Sequence, residues 1–250
     1  MEREKWFTES RESEPKVNEV IVDFFRHGQS AYTNEGRDLT DKGEEQVWES
    51  AEKIIEGIDP KNEIVILWSS PARRAQGSSE ILKEVLNHKG IDVYKESTIS
   101  SMRNFDQKDK EYFTKLFKEF EAHQKPFEVA YSRDPRFQEK SDKFESQPEV
   151  RERAGRVFNW IDYLARHAKL ENKKLHIIGA SHFEFLNPVM EDIFGYKVEE
   201  GQGMKYGEGM RVFFDYDSVR KETTISAEFR GERKDNIIFD KEKRKFVVEK

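Results

Sequence analysis

Three short apolar runs along the chain each end abruptly in polar or charged residues. They span residues 20–25, interrupted by Asp23, 64–68 and 175–180. Between them, apolar residues recur at helical spacing, which predicts amphipathic helices packed on a core. Alternation of such runs and helices is typical of a doubly wound α/β fold with a mostly parallel sheet flanked by helices. The helical positions are Val47, Trp48, Ala51, Ile54 and Ile55 in one segment, and Ala154, Val157, Phe158, Ile161, Leu164 and Ala165 in another.

The last part of the chain has a different pattern. Residues 210–214 predict a late strand, and residues 223–229, 237–239 and 246–248 predict short antiparallel strands. We therefore expect a charged N-terminal extension over 1–16 and a single catalytic domain over 17–250. A C-terminal strand addition over 216–250 would widen the sheet edge or contact another subunit, so a homo-oligomer is an open alternative.

The polar residues that follow the three apolar runs carry the candidate chemistry. Arg26, His27 and Gly28 follow the first run, and Ser181 and His182 follow the third. After the second run, Pro71 is expected in the first turn of a helix that carries Arg73 and Arg74. Ligands of open α/β sheets bind beyond the carboxyl ends of the strands, so these residues predict an anion site there.

These segments resemble the histidine phosphatase superfamily, which includes the cofactor-dependent phosphoglycerate mutases. Residues 26–30 are similar to its RHG signature, and residues 38–46 to the D-x-LT-x-x-G-x-x-Q stretch that follows it. Residues 69–79 resemble the S-S-x-L-x-R-A-x-Q-T pattern, with the family arginine at Arg74, and His182 matches the second family histidine. The resemblance covers residues 18 to 215 and implies a phosphoglycerate mutase-like fold.

Phosphoryl transfer mainly requires positioning and neutralisation of the phosphoryl oxygens. Arg26 and Arg74 can each offer a planar fork of donors to these oxygens. His27 is then the nucleophile, a neutral imidazole whose other ring nitrogen is oriented by a backbone carbonyl. His182, as imidazolium or as a neutral donor, would help to hold the transferred group, together with backbone N–H groups at the following helix start.

The general acid of the family pattern is missing. The family places a glutamate in an L-x-E stretch after the third strand, and this chain reads Ile99-Ser100-Ser101 there. Glu184 is the first candidate for the missing acid, since it would face the leaving oxygen from a helix start, and Asp106 is the second. The alternative for Glu184 is a solvated acid in the first turn of a helix, where acids are favoured.

The loop after the signature offers further candidate phosphate ligands. Thr33 stands where the family often has asparagine, Asn34 is next to it, and Ser30 closes the signature. Each side chain could donate to phosphate, or could merely shape a turn together with Gly36.

Residues 102–147 predict an insertion that acts as a lid. Tyr112, Phe113, Leu116, Phe117 and Phe120 have helical spacing. Basic residues in this segment would read a second acidic group on a substrate, or would simply face water while the aromatic residues pack on the core. These basic residues are Lys125, Arg133, Arg136, Lys140 and Lys143.

Composition narrows the function classes. With 44 basic and 50 acidic residues the net charge is −6 and no basic stripe stands out, so nucleic acid is not an expected partner. The absence of cysteine excludes thiolate catalysis and disulfides. No signal peptide or membrane segment is apparent, and a cytoplasmic location is expected. No cofactor is expected, nor a metal, since His88, His123, His167 and His176 lack metal-site spacing.

The sequence therefore predicts a phosphatase that hydrolyses a small phosphorylated substrate through a phosphohistidine on His27. A phosphoglycerate mutase-type phosphotransferase is the first alternative, and a non-catalytic phosphate-binding or scaffold protein is the second. Retention of Arg26, His27, Arg74 and His182 favours catalysis over the scaffold. The identity of the substrate stays open.

Overall fold

The computed structural model describes residues 17–170 and 172–249. The predicted N-terminal extension over 1–16 lies outside the described residues. The described part of the chain forms six α-helices: α1 (Asp41–Ile55), α2 (Arg73–His88), α3 (Lys110–Ala122), α4 (Phe127–Arg133), α5 (Gln147–His167) and α6 (Phe183–Phe194). Within this part of the chain, no helix is both long enough and apolar enough to cross a membrane.

Seven of the strands form one mixed sheet with the order β3-β2-β4-β1-β5-β6-β7. The strands are β1 (Val17–Arg26), β2 (Glu63–Ser69), β3 (Val93–Thr98), β4 (Lys174–Ser181), β5 (Gly209–Asp217), β6 (Glu222–Phe229) and β7 (Glu232–Lys234). The first four strands in this order are parallel, and β5, β6 and β7 continue the sheet in antiparallel pairing beyond β1. The doubly wound α/β fold is confirmed, although only about half of the sheet is parallel.

Two hydrophobic clusters cover the two faces of the sheet, because successive side chains of a strand point to opposite faces. On β1, Phe24 joins the cluster beneath α5, α6 and the insertion, whereas Phe25 joins the cluster beneath α1 and α2. Ile177 and Ile178 divide in the same way on β4. Both faces of the central strands are therefore buried, which holds their carboxyl ends rigidly in place.

The C-terminal strand addition has two parts. β6 and β7 widen the main sheet beyond the late strand β5, as one of the two alternatives predicted. The strands β8 (Ile237–Asp240) and β9 (Lys245–Val248) form a separate hairpin. Phe246 of this hairpin packs on Phe158 of α5, with ring centroids 4.6 Å apart. The hairpin thus packs against α5, α6 and β6.

The structure corrects two local predictions. Pro71 does not lie in the first turn of α2, because the helix begins at Arg73 with Ala72 as its N-cap. Trp48 is not a core residue, since it is 38% exposed and its ring lies tilted beside that of His88, whereas Val47 and Ala51 of the same stripe are buried. A tryptophan at the margin of a helical stripe keeps part of its ring in water.

The insertion over 102–147 contains α3 and α4 and is held together by aromatic rings. Phe105, Phe113, Phe127, Tyr131 and Phe137 are in mutual ring contact. Its start is anchored by the buried Arg153 of α5, whose guanidinium donates to the carbonyl groups of residues 101, 103 and 104 and to the Glu145 carboxylate. The insertion is therefore a packed part of the domain.

Candidate active site

The register of the parallel strands brings the predicted residues together. Arg26 at the end of β1 pairs with Ser181 of β4, and Ser69 at the end of β2 pairs with Ala180. The backbone N–H of His27 donates to the Ser181 carbonyl at 3.0 Å. As a result, the rings of His27 and His182 lie 5.0 Å apart at the carboxyl edge of the sheet.

Two glycines allow the signature loop to pack on the start of α1. A Cβ atom on Gly28 would lie 2.1 Å from the Gly43 carbonyl oxygen, and one on Gly43 would lie 2.1 Å from the Gln29 carbonyl oxygen. Thr40 caps the same helix by accepting a hydrogen bond from Gly43 N–H at 3.0 Å. Only glycine fits this close approach of two backbones, which fixes the position of His27.

His27 is buried and neutral. Its Nδ1 lies 2.7 Å from the carbonyl oxygen of Gly28. Because a carbonyl only accepts, Nδ1 carries the proton and the lone pair is on Nε2. Nε2 in turn accepts a hydrogen bond from Nε of Arg74 at 3.0 Å. Burial first, and then the positive charge of Arg74, lower the pKa of His27 to about 3.

Arg74, and not its neighbour Arg73, reaches the histidine. Arg73 points away and forms a bidentate pair with Glu80, with distances of 2.7 and 3.0 Å. Arg74 therefore occupies the position that the resemblance gives to the family arginine.

Arg26 is buried and held by three groups from distant parts of the chain. Its Nη1 donates to the Met204 carbonyl at 2.8 Å, and its Nη2 donates to Oε1 of Glu128 at 3.2 Å. The guanidinium also lies over the ring of Tyr206, 3.8 Å from the centroid. Its Nε is buried and has no partner within the described part of the chain. A buried donor without a partner is a natural place for an anion to bind.

His182 is a neutral donor rather than an imidazolium. Its Nε2 lies 2.6 Å from Oγ of Ser70, which also accepts from the Ala72 N–H. The Ser70 hydroxyl proton is thus available to Nε2, which leaves the proton of the neutral ring on Nδ1. This Nδ1 is buried and has no partner among the described residues. Complete burial, and then the neighbouring His27 and Arg74, hold the pKa of His182 well below its ordinary value.

The two candidate acids lie in different environments. Glu184 is in the first turn of α6 and half-buried. Burial raises its pKa even though the charges of Arg26 and Arg74 act in the opposite direction. Asp106 is exposed, and its backbone pairs with Glu145 in the anchored start of the insertion. Glu184 therefore lies within electrostatic reach of Arg26 and Arg74, and the choice between the two acids stays a prediction.

The candidate ligands of the signature loop are occupied in shaping it. The buried Asp38 carboxylate accepts from the backbone N–H groups of Thr33 and Asn34 at 2.7 and 3.1 Å. It also accepts from the Ser30 hydroxyl at 3.3 Å. Asn34 has a positive φ of 58°, as expected for asparagine in a turn. These contacts favour the turn-shaping interpretation, and a role of Ser30, Thr33 or Asn34 in phosphate binding stays a prediction.

Sequence reasoning missed three residues at this site. Ser70 lies within the segment that resembles the family pattern, but its sequence context predicts no role for it, although it is the partner of His182. Tyr206 and Glu128 lie far along the chain from Arg26 and contact it only in the folded protein. No local pattern marks either residue.

Four of the five basic residues that were predicted to read a second acidic group are paired with carboxylates. The pairs are Lys125 with Asp134, Arg133 with Glu191 and Glu199, Arg136 with Glu119 and Asp134, and Lys143 with Asp109 and Asp142. The insertion residue that contacts the candidate phosphate site is instead the acidic Glu128.

The remaining histidines have structural positions. His88 ends α2, His123 is the C-cap of α3, and His167 ends α5. His176 is buried in β4 between Glu63 and Asp23, at 2.7 and 2.6 Å. Among the described residues, no group of three or more His, Asp or Glu side chains is arranged to hold a metal ion.

The sequence pattern of the Histidine phosphatase superfamily (branch 1) matches residues 22–224, which is most of the chain. The chain belongs to this superfamily. A comparison of this histidine phosphatase family member with curated proteins finds no match.

Solved structures share its fold at low sequence identity. A phosphoglycerate mutase from Bacillus anthracis str. Sterne is 14% identical with a TM-score of 0.51, over 79% of this chain and 88% of that one. A mycobacterial glucosyl-3-phosphoglycerate phosphatase in complex with inorganic phosphate is also 14% identical, with a TM-score of 0.50, over 86% of this chain and 97% of that one. The fold is therefore that of superfamily members with either activity.

Proposed function

We propose that this protein is a phosphatase that hydrolyses phosphomonoesters through a phosphohistidine intermediate on His27. The observation that carries the proposal is the convergence of a neutral buried imidazole with two buried donors that have no partner among the described residues, Nε of Arg26 and Nδ1 of His182. Membership in the histidine phosphatase superfamily supports it.

In the first step, the phosphoryl group of the substrate binds between the donors. Arg74 transfers its hydrogen bond from His27 Nε2 to a phosphoryl oxygen, which frees the lone pair for attack on phosphorus. Arg26 Nε and His182 Nδ1 each donate to another oxygen, and their charge and dipoles stabilise the transition state. The Nδ1 proton stays on the ring, where it donates to the Gly28 carbonyl oxygen, and this hydrogen bond helps to disperse the positive charge that develops on the ring.

Glu184 completes the step as general acid. As the P–O bond breaks, its carboxyl proton moves to the leaving alkoxide oxygen, so that a neutral alcohol departs. The raised pKa of Glu184 keeps this proton in place closer to neutral pH than an ordinary glutamate would. The glutamate that the family supplies after its third strand is replaced by serine, so Glu184 takes over this role.

In the second step, water attacks the phosphohistidine. The Glu184 carboxylate accepts a proton from the water as the new P–O bond forms and the P–N bond to His27 breaks. Inorganic phosphate leaves, and the enzyme returns to its starting protonation state.

The test is phosphate release from 4-nitrophenyl phosphate and a panel of alkyl phosphates. We expect turnover by the wild type, and a loss of at least ~1,000-fold in His27→Ala because the nucleophile is absent. His123→Ala is the matched control, since this exposed histidine at the end of α3 should change nothing. Acid-quenched wild type should carry acid-labile phosphate that His27→Ala lacks.

The other outcomes identify the alternatives. Transfer of the phosphoryl group to a second hydroxyl of the substrate, with little release of phosphate, would show that the protein is a mutase and not a phosphatase. Phosphate binding without any turnover would make the protein a phosphate-binding scaffold.

A further inference from the structure

The insertion helix α4 places a carboxylate directly on the candidate phosphate site. Glu128, in the first turn of α4, is paired with Nη2 of Arg26 at 3.2 Å. Its side chain is 36% exposed, whereas the Arg26 side chain is 9% exposed. The carboxylate therefore faces the entrance of the site while the arginine lies at its base.

Phosphate can bind to Arg26 without removing Glu128. Nε of Arg26 has no partner within the described part of the chain, and Nη2 carries a second hydrogen besides the one given to Glu128. A phosphoryl oxygen at Nε then leaves the Glu128 carboxylate beside the bound ester. The ester's own organic group must pass next to this negative charge.

The surroundings of Glu128 favour a cation. The ring faces of Tyr206 and Phe183 already hold the Arg26 guanidinium, at 3.8 and 5.1 Å from their centroids. Because Arg26 occupies these faces, the exposed part of the Glu128 carboxylate is the group that would bind a positively charged nitrogen and repel an anion. Four of the basic residues that would attract a carboxylate substrate, including Lys125 and Arg133, are paired elsewhere.

We infer that Glu128 is a specificity-determining residue, which selects phosphomonoesters whose alcohol carries a positively charged nitrogen and rejects those that carry a carboxylate. This inference rests on the proposed phosphatase function, because it names the substrate class of the same site. A neutral hydroxyl on the alcohol should give intermediate rates, since it can donate to Glu128 but brings no charge.

Three esters of nearly equal size test the inference: phosphoethanolamine, 2-hydroxyethyl phosphate and phosphoglycolate. For the wild type we expect kcat/KM to fall in that order, with at least ~10-fold between the first and the last, because like charges meet at Glu128 only with phosphoglycolate. Glu128→Gln should reduce this ratio to within about threefold, and Glu128→Lys should invert it.

Glu121→Gln is the matched control, because it removes the same charge from an exposed position on α3. The ratio is taken within each variant, so that any general change in phosphate affinity cancels. A wild-type ratio near one, or an equal ratio in the wild type and Glu128→Gln, would overturn the inference.

Failure of the proposed phosphatase function can be distinguished from failure of the specificity inference. If the wild type hydrolyses neither these esters nor 4-nitrophenyl phosphate, the phosphatase proposal fails. Dissociation constants of the same three esters, measured by calorimetry on the wild type and Glu128→Gln, then decide the specificity. Tighter binding of phosphoethanolamine than of phosphoglycolate that depends on Glu128 would support it, and equal binding would reject it.

Discussion

Nε of Arg74 lies 3.0 Å from Nε2 of His27, so the arginine donates to the very lone pair that the proposed reaction uses. This contact lowers the pKa of the histidine, after the larger effect of burial, and keeps the ring neutral. In the proposed reaction, it also holds the guanidinium at the place where a phosphoryl oxygen binds. Arg74 would then preserve the nucleophile before substrate binding and neutralise the phosphoryl group after it.

Arg74→Lys tests this double role. Lysine retains the charge but has no planar fork, so it cannot reproduce the geometry that Nε provides. We expect kcat/KM for 4-nitrophenyl phosphate to fall by about 100-fold. Arg73→Lys is the control, since Arg73 pairs with Glu80 and should leave kcat/KM nearly unchanged. Equal losses in both variants would contradict the assignment of Arg74.

Glu184→Gln tests the general acid. Glutamine cannot give a proton, so hydrolysis of an alkyl phosphate should slow by ~100-fold or more, whereas 4-nitrophenyl phosphate, with its good leaving group, should be much less affected. The measurement is kcat for both substrates in each protein. An equal loss with both would contradict the role of Glu184 as acid.

The pH profile offers a second view of the same group. The acid must be protonated and His27 must be neutral, so kcat for an alkyl phosphate should fall as pH rises through the raised pKa of Glu184. On the acid side, kcat should fall only when pH drops to near the pKa of His27, about 3, where the imidazole becomes protonated. Glu184→Gln should remove the alkaline fall, and a fall that persists in this variant would assign it to another group.

Ser70→Ala tests how His182 is positioned. Loss of the hydroxyl removes the partner of Nε2, so the ring can adopt the other tautomer or turn away from the phosphate. We expect kcat to fall by about tenfold with little change in unfolding temperature. Ser70→Thr should restore much of the rate, which a merely structural defect would not allow. Ser69→Ala is the control, because Ser69 is the last residue of β2 and removal of its hydroxyl should leave kcat nearly unchanged.

His176→Gln tests the buried charge cluster in β4. Burial lowers the pKa of His176, but the hydrogen bonds to Asp23 and Glu63 raise it by more, so the folded pKa lies above the ordinary value of 6.5. The folded state thus retains a proton that the unfolded state loses. Stability from this proton is complete below pH 6.5 and is lost as pH rises through the folded pKa.

Denaturant unfolding of the wild type at pH values above 6.5 should therefore show a decline of up to ~1.4 kcal/mol per pH unit that His176→Gln lacks. At the lower end of this pH range the variant should be less stable by about 3 kcal/mol, because the buried Glu63 loses its charged partner and Asp23 retains only Arg211. His27 and His182 do not contribute to this pH dependence of stability, since their lowered pKa values leave both neutral in the folded protein above pH 6.5. Parallel profiles for the two proteins would show that His176 is uncharged.

Much of the fold could be predicted from sequence because the central strands are buried on both faces and appear as continuous apolar runs. The antiparallel edge was recognised at β6 but not at the short β7, which has the charged sequence Glu232-Arg233-Lys234. The prediction that Trp48 lies in the core was wrong, because helical periodicity identifies the buried face of a helix but not where that face ends.

Strand length, glycine positions and helix starts are local properties of the chain, so the sequence alone predicts that His27, Arg26, Arg74 and His182 follow strand ends or start helices. Which charged groups meet depends on how the elements pack. Ser70, Glu128 and Tyr206 reach the site from separate elements, and the protonation of His27, His182 and Glu184 depends on burial. Burial and long-range contact belong to the packed molecule, because they arise from side chains that the chain brings together only when it folds.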